Sequence, residues 1–245
     1  GFVASLYKRG IDFINIPTSL LAMVDAALGG KTAIDLGPFK NQVGVFSAAK
    51  YLYVDPVFLD TLPEEEKRSG LAEMFKHSLL NSHQDFKVLL AKAKDGTYVN
   101  LDSIQTSSLK KVKVVEQDPE EAGLRKKLNL GHTIGHALEG YFLLNAPIAH
   151  GHAVAVGLYL EALISFKLER LKKEELEDIE QVLAYYPKIE LDEHAVETCL
   201  NLLRHDKKNK YGEIRFVLLN GIGNAEFDQV VGEQLVREVM ETLRN

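Results

Sequence analysis

The sequence predicts an α/β segment followed by a mainly α-helical domain, with the change near residue 63. Before that point, two short apolar runs at residues 13–16 and 51–55 stop at prolines, as strands often do. After it, apolar residues recur with helical spacing over most of the chain. We therefore divide the chain into an α/β part at 1–62 and a helical domain at 63–245.

Pro63 marks the start of the first long helix, because proline is favoured in a first turn and the acidic residues 64–66 face the positive end of the helix dipole. Residues 214–219 have the composition of a strand that ends before Gly221, and a last helix covers about 229–244. That first long helix covers 64–82. The predicted helices between it and the last one cover 84–94, 100–117, 131–143, 150–171, 173–186 and 193–204.

The composition is that of a globular protein, with 245 residues of which 46% are hydrophobic and 26% charged. The net charge of -6 argues against general binding to nucleic acid or to a membrane surface, so we predict neither partner. Cys199 is the only cysteine, which excludes an intrachain disulfide and favours a reduced, cytoplasmic protein.

Three histidines and a glutamate form a candidate metal site. His132 and His136 are four residues apart, on one face of a helix that begins after Gly131. His150 follows eighteen residues after His132, and Glu73 lies upstream in an apolar helical segment. One carboxylate and two imidazoles with an open position suit a catalytic divalent metal, and zinc best. The histidine pair alone is a weak signal, because such pairs are often one ligand and one hydrogen-bonding partner, or surface residues.

Several polar residues near these candidates indicate a pocket for an anion. Arg125 and Asn129 precede His132 at spacings that stay on one helical face if the helix begins early. Cations that converge on one cleft favour a substrate carrying phosphate or carboxylate groups, although each lysine alone is more often a surface residue. The basic residues in such contexts are Lys31, Lys40, Lys76, Lys111 and Arg125.

Together these motifs closely resemble the 3-dehydroquinate synthase family of sugar-phosphate cyclases, in order and approximate spacing, from Gly1 to the C-terminus. The matching motifs are Arg9-Gly10, 16–22, Val24-Asp25, 29–32, Lys40-Asn41, 61–63, 70–73, Lys76, 129–133, 135–137, His150-Gly151 and 206–208.

The resemblance implies an N-terminal NAD-binding α/β domain, of which 1–62 is a remnant, and a helical domain that binds metal and substrate. It implies conversion of 3-deoxy-D-arabino-heptulosonate 7-phosphate to 3-dehydroquinate and phosphate, a step of the shikimate pathway. The reaction combines NAD-dependent transient oxidation, phosphate elimination, re-reduction and aldol closure. The implied cofactors are NAD and Zn2+, with Co2+ as an alternative, and the implied assembly is a homodimer.

The resemblance also implies roles for individual residues. His136 suits a proton shuttle, because an imidazole titrates near neutral pH. Arg9 matches an arginine that reaches the phosphate of the neighbouring subunit's substrate. The metal ligands are Glu73, His132 and His150. The substrate and catalytic contacts are Asp25, Lys31, Asn41, Lys76, Lys111, Arg125, Asn129, His136 and one of Lys207 or Lys208. The NAD-lining residues are Thr18, Ser19, Leu21, Asp25, Lys31, Lys40, Phe58, Thr61 and Leu62.

Two departures from the family pattern stand out. The family shows His-Gly-Glu after the last metal ligand, whereas this chain has His152 in place of the glutamate, which we interpret as a helix-start residue. The family's glycine-rich phosphate-binding turn lies before Gly1, so we expect the chain as given not to complete an NAD site or to be a competent enzyme by itself.

Three alternatives stay open. Another sugar-phosphate cyclase, such as a 2-deoxy-scyllo-inosose synthase, would share fold, NAD and metal; Lys111, Arg125 and Asn129, as contacts for a substrate carboxylate, favour 3-dehydroquinate synthase. A metal-dependent polyol dehydrogenase would need no pocket with several cations, so the set of lysines and arginine argues against it. A non-catalytic fragment would need no intact set of metal ligands, so the presence of that set argues against it for the parent protein.

Overall fold

The computed structural model describes residues 1–36, 39–143, 146–204 and 213–244. Within these ranges it describes all side chains except those of residues 35–41. The first part contains helix α1 (Phe2–Leu6) and two short strands, β1 (Ile14–Asn15) and β4 (Tyr51–Leu52). The two strands pair in parallel, with Ile14 opposite Tyr51 and Asn15 opposite Leu52. The two strands predicted from apolar runs that end at prolines are therefore confirmed.

Between these strands lies a hairpin that we do not predict from the sequence. Strands β2 (Lys31–Leu36) and β3 (Phe39–Phe46) are antiparallel, and the register places Thr32 opposite Val45 and Ile34 opposite Val43. These cross-strand pairs join β-branched residues, which fit a pleated surface. The surrounding glycines and the lysines obscure this alternation in the sequence.

The remaining chain is mainly helical, which confirms the predicted fold class. No described helix is long and apolar enough to cross a membrane. The helices are α2 (Glu64–Asn81), α3 (His83–Lys94), α4 (Leu101–Gln117), α5 (His132–Leu143), α6 (His150–Lys167), α7 (Lys173–Glu180), α8 (Glu193–Arg204) and α9 (Glu233–Glu241).

Three of these helices are shorter than predicted. Helix α6 ends at Lys167 because Glu169 takes a positive φ of 59°, which breaks the helical hydrogen bonding. Helix α7 gives way to a 3-10 turn over Gln181–Tyr185. Helix α9 begins late because Ala225–Val230 form strand β6, which is antiparallel to the predicted strand β5 (Arg215–Leu219). The alternation of apolar and polar residues along β6 is short and is interrupted by charged residues.

Helix α2 lies at the centre of the fold. Every residue from Ser69 to Leu79 is buried, because α3, α4, α6 and the turn over Ala22–Ala26 pack around it. A helix that is buried on all sides holds its polar residues inside the protein rather than in solvent. Glu73, Lys76 and His77 therefore lie in the interior.

Helices α5 and α6 cross at very short distance because both carry glycine at the contact. A Cβ atom on Gly157 would overlap with the carbonyl oxygen of Gly131. Gly131 itself has a φ of 78°, a left-handed conformation that favours glycine. Glu161 of α6 then accepts backbone N–H bonds from Gly131, Thr133 and Ile134 at 2.7, 3.0 and 3.2 Å. The start of α5 is thus fixed by a carboxylate from α6.

We expect Gly157→Ala to lower the free energy of unfolding by about 1–3 kcal/mol or more, because backbone atoms cannot move aside as a flexible side chain can. Urea unfolding followed by circular dichroism measures this change.

The control is Gly140→Ala in α5, where the nearest atom is a Leu202 methyl group at 3.2 Å that can shift. We expect this variant to stay within about 1 kcal/mol of the wild type, since alanine also favours the helix. Equal losses in the two variants would contradict the close crossing.

Candidate metal and substrate site

Three helices bring one carboxylate and two imidazoles to a common point. Glu73 comes from the middle of α2, while His132 and His150 are the first residues of α5 and α6. The Nε2 atoms of His132 and His150 lie 3.3 and 3.4 Å from Oε1 of Glu73. One ligand atom from each of the three lies within 4.8 Å of the others.

The chemistry of this donor set fits a divalent metal. Both carboxylate oxygens of Glu73 are fully buried and lack a hydrogen bond of normal geometry; Oε2 is ion-paired with Lys76, and Oε1 faces the two imidazoles. Nδ1 of His132 lies 3.0 Å from the carbonyl oxygen of Leu130 and must donate to it, since a carbonyl only accepts. Its Nε2 therefore presents a lone pair toward Glu73, the arrangement by which an outer hydrogen bond orients a metal-binding histidine.

A buried charge cluster lies next to this donor set. Lys76 pairs with Glu73 and lies 3.3 Å from Oδ1 of Asp25. Lys111 reaches Oδ2 of Asp25 at 2.8 Å and also donates to its backbone carbonyl. Nε2 of His77 lies 3.2 Å from Asp25, and its Nδ1 lies 2.9 Å from the Ser107 hydroxyl. Asp25 occupies a π-helical turn, a distortion that is frequent at functional sites.

The pKa shifts in this cluster follow from burial and from charge pairing. Burial would raise the pKa of Glu73, but the ammonium group of Lys76 holds it well below its usual range. The pKa of Asp25 is also lowered, because Lys76 and Lys111 outweigh its burial. Burial favours the uncharged side chains of His132 and Lys111 and lowers the pKa of each. Glu73 and Asp25 are therefore ionised at neutral pH, as a metal ligand and its neighbour need to be.

His150 differs from His132 in its ionisation. Burial alone would lower its pKa, but Glu139 and Glu73 raise it to about 9. Its Nδ1 lies 3.6 Å from Oε2 of Glu139, so the ring lies between two carboxylates. A metal that binds this histidine must displace its proton, because only the neutral imidazole has a free lone pair.

Arg125 and Asn129 lie beside this cluster but not on one helical face with His132. They belong to a separate 3-10 turn over Leu124–Asn129, and α5 begins only at His132. The one-face arrangement considered from the spacing is therefore wrong, because Gly131 and its left-handed backbone separate the two segments.

The buried Arg125 guanidinium donates to the backbone carbonyls of Pro119 and, at 2.8 Å, Gly29. Its central carbon also lies 5.8 Å from the centre of the Phe46 ring. The neighbouring Glu121 accepts a 2.9 Å hydrogen bond from the Asn129 amide and pairs with Lys31. These contacts bring Lys31, Arg125 and Asn129 into one polar network.

Nine of the predicted site residues lie in these two clusters: Asp25, Lys31, Glu73, Lys76, Lys111, Arg125, Asn129, His132 and His150. His136 is exposed beside them, with its ring 5.3 Å from that of His132 and 6.2 Å from that of His150. Arg9 is exposed, on a turn near α1. Of the predicted NAD-lining residues, Thr18, Phe58 and Thr61 are exposed, whereas Ser19, Leu21 and Leu62 are partly buried. The side chains of Lys40 and Asn41, and the whole of Lys207 and Lys208, lie outside the described residues. The roles of all these residues stay predictions.

Three residues of the site are missed by the sequence reasoning. Glu139 belongs to a second possible ligand group with His136 and His150. Its position, three residues after His136 on the same helix, carries a signal that could have found it. His77 and Glu121 contact Asp25 and Lys31, which are far away along the chain, and no local pattern marks these pairs.

Comparisons with known proteins agree with the resemblance in the motifs. A family model described as 3-dehydroquinate synthase N-terminal matches residues 1–69, and one described as 3-dehydroquinate synthase C-terminal matches residues 70–209. The 3-dehydroquinate synthase of Parabacteroides distasonis is 42% identical over 248 residues, covering 100% of this chain and 70% of that protein.

Solved structures of sugar-phosphate cyclases share the fold. The 2-epi-5-epi-valiolone synthase from Streptomyces hygroscopicus subsp. jinggangensis, with NAD+ and Zn2+ bound, has a TM-score of 0.88 at 25% identity, over 99% of this chain and 69% of that one. A 2-deoxy-scyllo-inosose synthase complexed with carbaglucose-6-phosphate, NAD+ and Co2+ has a TM-score of 0.82 at 24% identity, over 98% and 70%. From the family models and the relative at 42% identity, we conclude that the chain belongs to the 3-dehydroquinate synthase family.

Proposed function

We propose that the protein acts as a 3-dehydroquinate synthase, which forms 3-dehydroquinate and phosphate from 3-deoxy-D-arabino-heptulosonate 7-phosphate. The observation that carries this proposal is the convergence of Glu73, His132 and His150 directly beside the buried Lys76 and Lys111. The curated relatives named 3-dehydroquinate synthase and the match to both family models support it.

The proposed cofactors are NAD and Zn2+, as in the valiolone synthase structure. Glu73, His132 and His150 would hold the metal, and the two cofactors would supply Lewis-acid and hydride-transfer chemistry when bound. Asp25 belongs to the same buried cluster and fixes the ammonium groups of Lys76 and Lys111. The side chains around the metal ligands are therefore held in place before a substrate arrives, which favours fast chemistry.

Two features of the chain suit a substrate with phosphate and carboxylate groups. Lys76 and Lys111 are buried ammonium groups paired with Glu73 and Asp25, so an anionic group of the substrate would share these donors with the two carboxylates. Lys31 and Asn129 are held by Glu121, so a substrate carboxylate or phosphate would compete with the carboxylate of Glu121 for the same donors. Arg125 fixes the backbone at Gly29, close to Lys31. We assign one of Lys207 or Lys208 to the same pocket on the resemblance alone.

His136 is the proposed proton shuttle. Its ring is exposed and lies beside the rings of His132 and His150, which supports a role at the open side of the candidate metal site. An imidazole there can accept a proton at one nitrogen and release it to solvent without a change in the buried cluster.

A homodimer is the proposed assembly, since Arg9 matches an arginine that acts across a subunit contact. The apolar side chains of Leu6, Tyr7 and Ile11 around it are 54%, 57% and 48% exposed, as in surfaces that pair with another protein. Sedimentation equilibrium measures the oligomeric state, and a monomer at micromolar concentration would contradict this assignment.

The test of the proposed function is phosphate release from 3-deoxy-D-arabino-heptulosonate 7-phosphate, with NAD+ and Zn2+, by the protein purified from its full reading frame. A heptulose 7-phosphate without the carboxylate serves as the competing substrate. We expect turnover of the carboxylated substrate only. Preference for the substrate without the carboxylate would identify a different sugar-phosphate cyclase. This is the second candidate function, and the two cyclase structures with this fold are the reason to consider it.

His132→Ala should abolish stoichiometric zinc binding while the protein stays folded, because one of the three donors of the Glu73–His132–His150 group is removed. Elemental analysis after gel filtration measures the zinc content, and circular dichroism checks the fold. The matched control is His194→Ala, an exposed histidine on α8. Full zinc retention by His132→Ala would refute the ligand assignment.

Lys111→Met should lower kcat/KM at least about tenfold, since a charge-assisted hydrogen bond contributes roughly 1.5–3 kcal/mol. Methionine matches the lysine side chain as far as Cε and lacks the charged ammonium group. Lys113→Met, two residues along the same helix at an exposed position, is the matched control and should leave kcat/KM unchanged. Equal values in the two variants would remove Lys111 from the substrate pocket.

A further inference from the structure

The start of helix α6 receives no side-chain cap from its own sequence. The residue before the helix is Ala149, whose side chain cannot accept a hydrogen bond from the free N–H groups of the first turn. His150, the first residue of the helix, is therefore a candidate metal ligand at an end that would fray without outside support. Contacts from two other parts of the chain provide this support.

The first contact comes from helix α2. The Ser69 hydroxyl accepts a 3.0 Å hydrogen bond from the backbone N–H of Gly151 and so replaces the missing cap. The approach is close, since a Cβ atom on Gly151 would overlap with the backbone of Ser69. Ser69 precedes Glu73 by one helical turn, so this contact joins the ligand-bearing ends of α2 and α6.

The second contact is made by His152, the residue that departs from the family's glutamate. Its Nε2 lies 2.8 Å from the carbonyl oxygen of Pro187 and must donate to it. Its ring stacks on Tyr186, with 5.8 Å between the ring centres and 19° between the planes. The Tyr186 hydroxyl donates in turn to the carbonyl of Arg68, next to Ser69. His152 is only 8% exposed, so water does not substitute for these contacts.

We propose that His152 is a positioning residue that fixes His150 for metal binding by fastening the first turn of α6 to the Tyr186–Pro187 segment. The three connected parts form a closed ring of contacts: α2 to α6 through Ser69 and Gly151, α6 to the segment through His152, and the segment back to α2 through Tyr186. Interpreting His152 only as a helix-start residue does not account for the donated hydrogen bond or the stacked ring.

A donor is essential in this role, because the Pro187 carbonyl can only accept. A glutamate at position 152, the residue usual in the family, is ionised at neutral pH and would present acceptors to that carbonyl. A glutamine has an amide N–H at a similar reach and can donate. The pair His152→Glu and His152→Gln therefore separates the donor from the size of the side chain.

The inference rests on the proposed metal site, and the experiment measures metal binding rather than turnover. Zn2+ affinity is determined by competition with a chelator at neutral pH, and the visible spectrum of the Co2+-loaded protein reports the coordination geometry. We expect His152→Glu to weaken Zn2+ binding by roughly tenfold or more, as for other residues that orient metal ligands, and to change the Co2+ spectrum. We expect His152→Gln to stay close to the wild type in both.

Three outcomes would overturn the proposal. The wild-type Zn2+ affinity and Co2+ spectrum in a folded His152→Glu variant would show that His152 serves packing alone. A loss in His152→Gln as large as in His152→Glu would show that the donated hydrogen bond is not what matters. If His152→Glu does not fold, His152→Leu replaces it, with the same expectation and the same contradicting result. Retention of Zn2+ by His132→Ala would instead refute the metal site itself, so the two failures are distinguishable.

Discussion

The burial of residues 69–79 of helix α2 on all sides is the constraint on which the site depends. Moving a carboxylate or an ammonium group out of water costs several kcal/mol unless it gains a partner, so Glu73 and Lys76 cannot lie in this helix alone. Asp25 from the π-helical turn and Lys111 from α4 complete the charge pairs. The elements that pack on α2 must therefore bring these groups as well as apolar side chains, which ties the position of the charges in the candidate site to the folding of the core.

A second constraint acts at the two helix starts that carry His132 and His150. Both helices depend on other helices for acceptors at their first turn: α5 uses Glu161 of α6, and α6 uses Ser69 of α2. Because each cap is a contact between helices, the caps also set the distances between the candidate ligands. The close crossing at Gly157 and Gly131 has the same effect, so backbone packing, rather than flexible side chains, determines where the imidazoles lie.

The sequence predicts what is encoded along one element and misses what is formed between elements. The strands β1 and β4, which lie shortly before Pro17 and Pro56, and the bounds of most helices follow from local patterns. The hairpin of β2 and β3 and the strand β6 do not, because their stability comes from pairing across strands. The candidate ligands Glu73, His132 and His150 were found through motifs. Their supporting partners, such as His77 with Asp25, are distant in sequence and have no local signature.

The charge balance of the site suggests why metal and substrate belong together. The lysines Lys76 and Lys111 are already paired with the buried carboxylates of Glu73 and Asp25, so this cluster has little positive charge to spare for an anion. A divalent cation held by Glu73 and two neutral imidazoles would leave excess positive charge in a medium where screening by water is weak. An anionic sugar phosphate is then attracted to a cluster that is otherwise neutral. In a chain with a net charge of -6, such a local excess is what directs an anion to one place on the molecule.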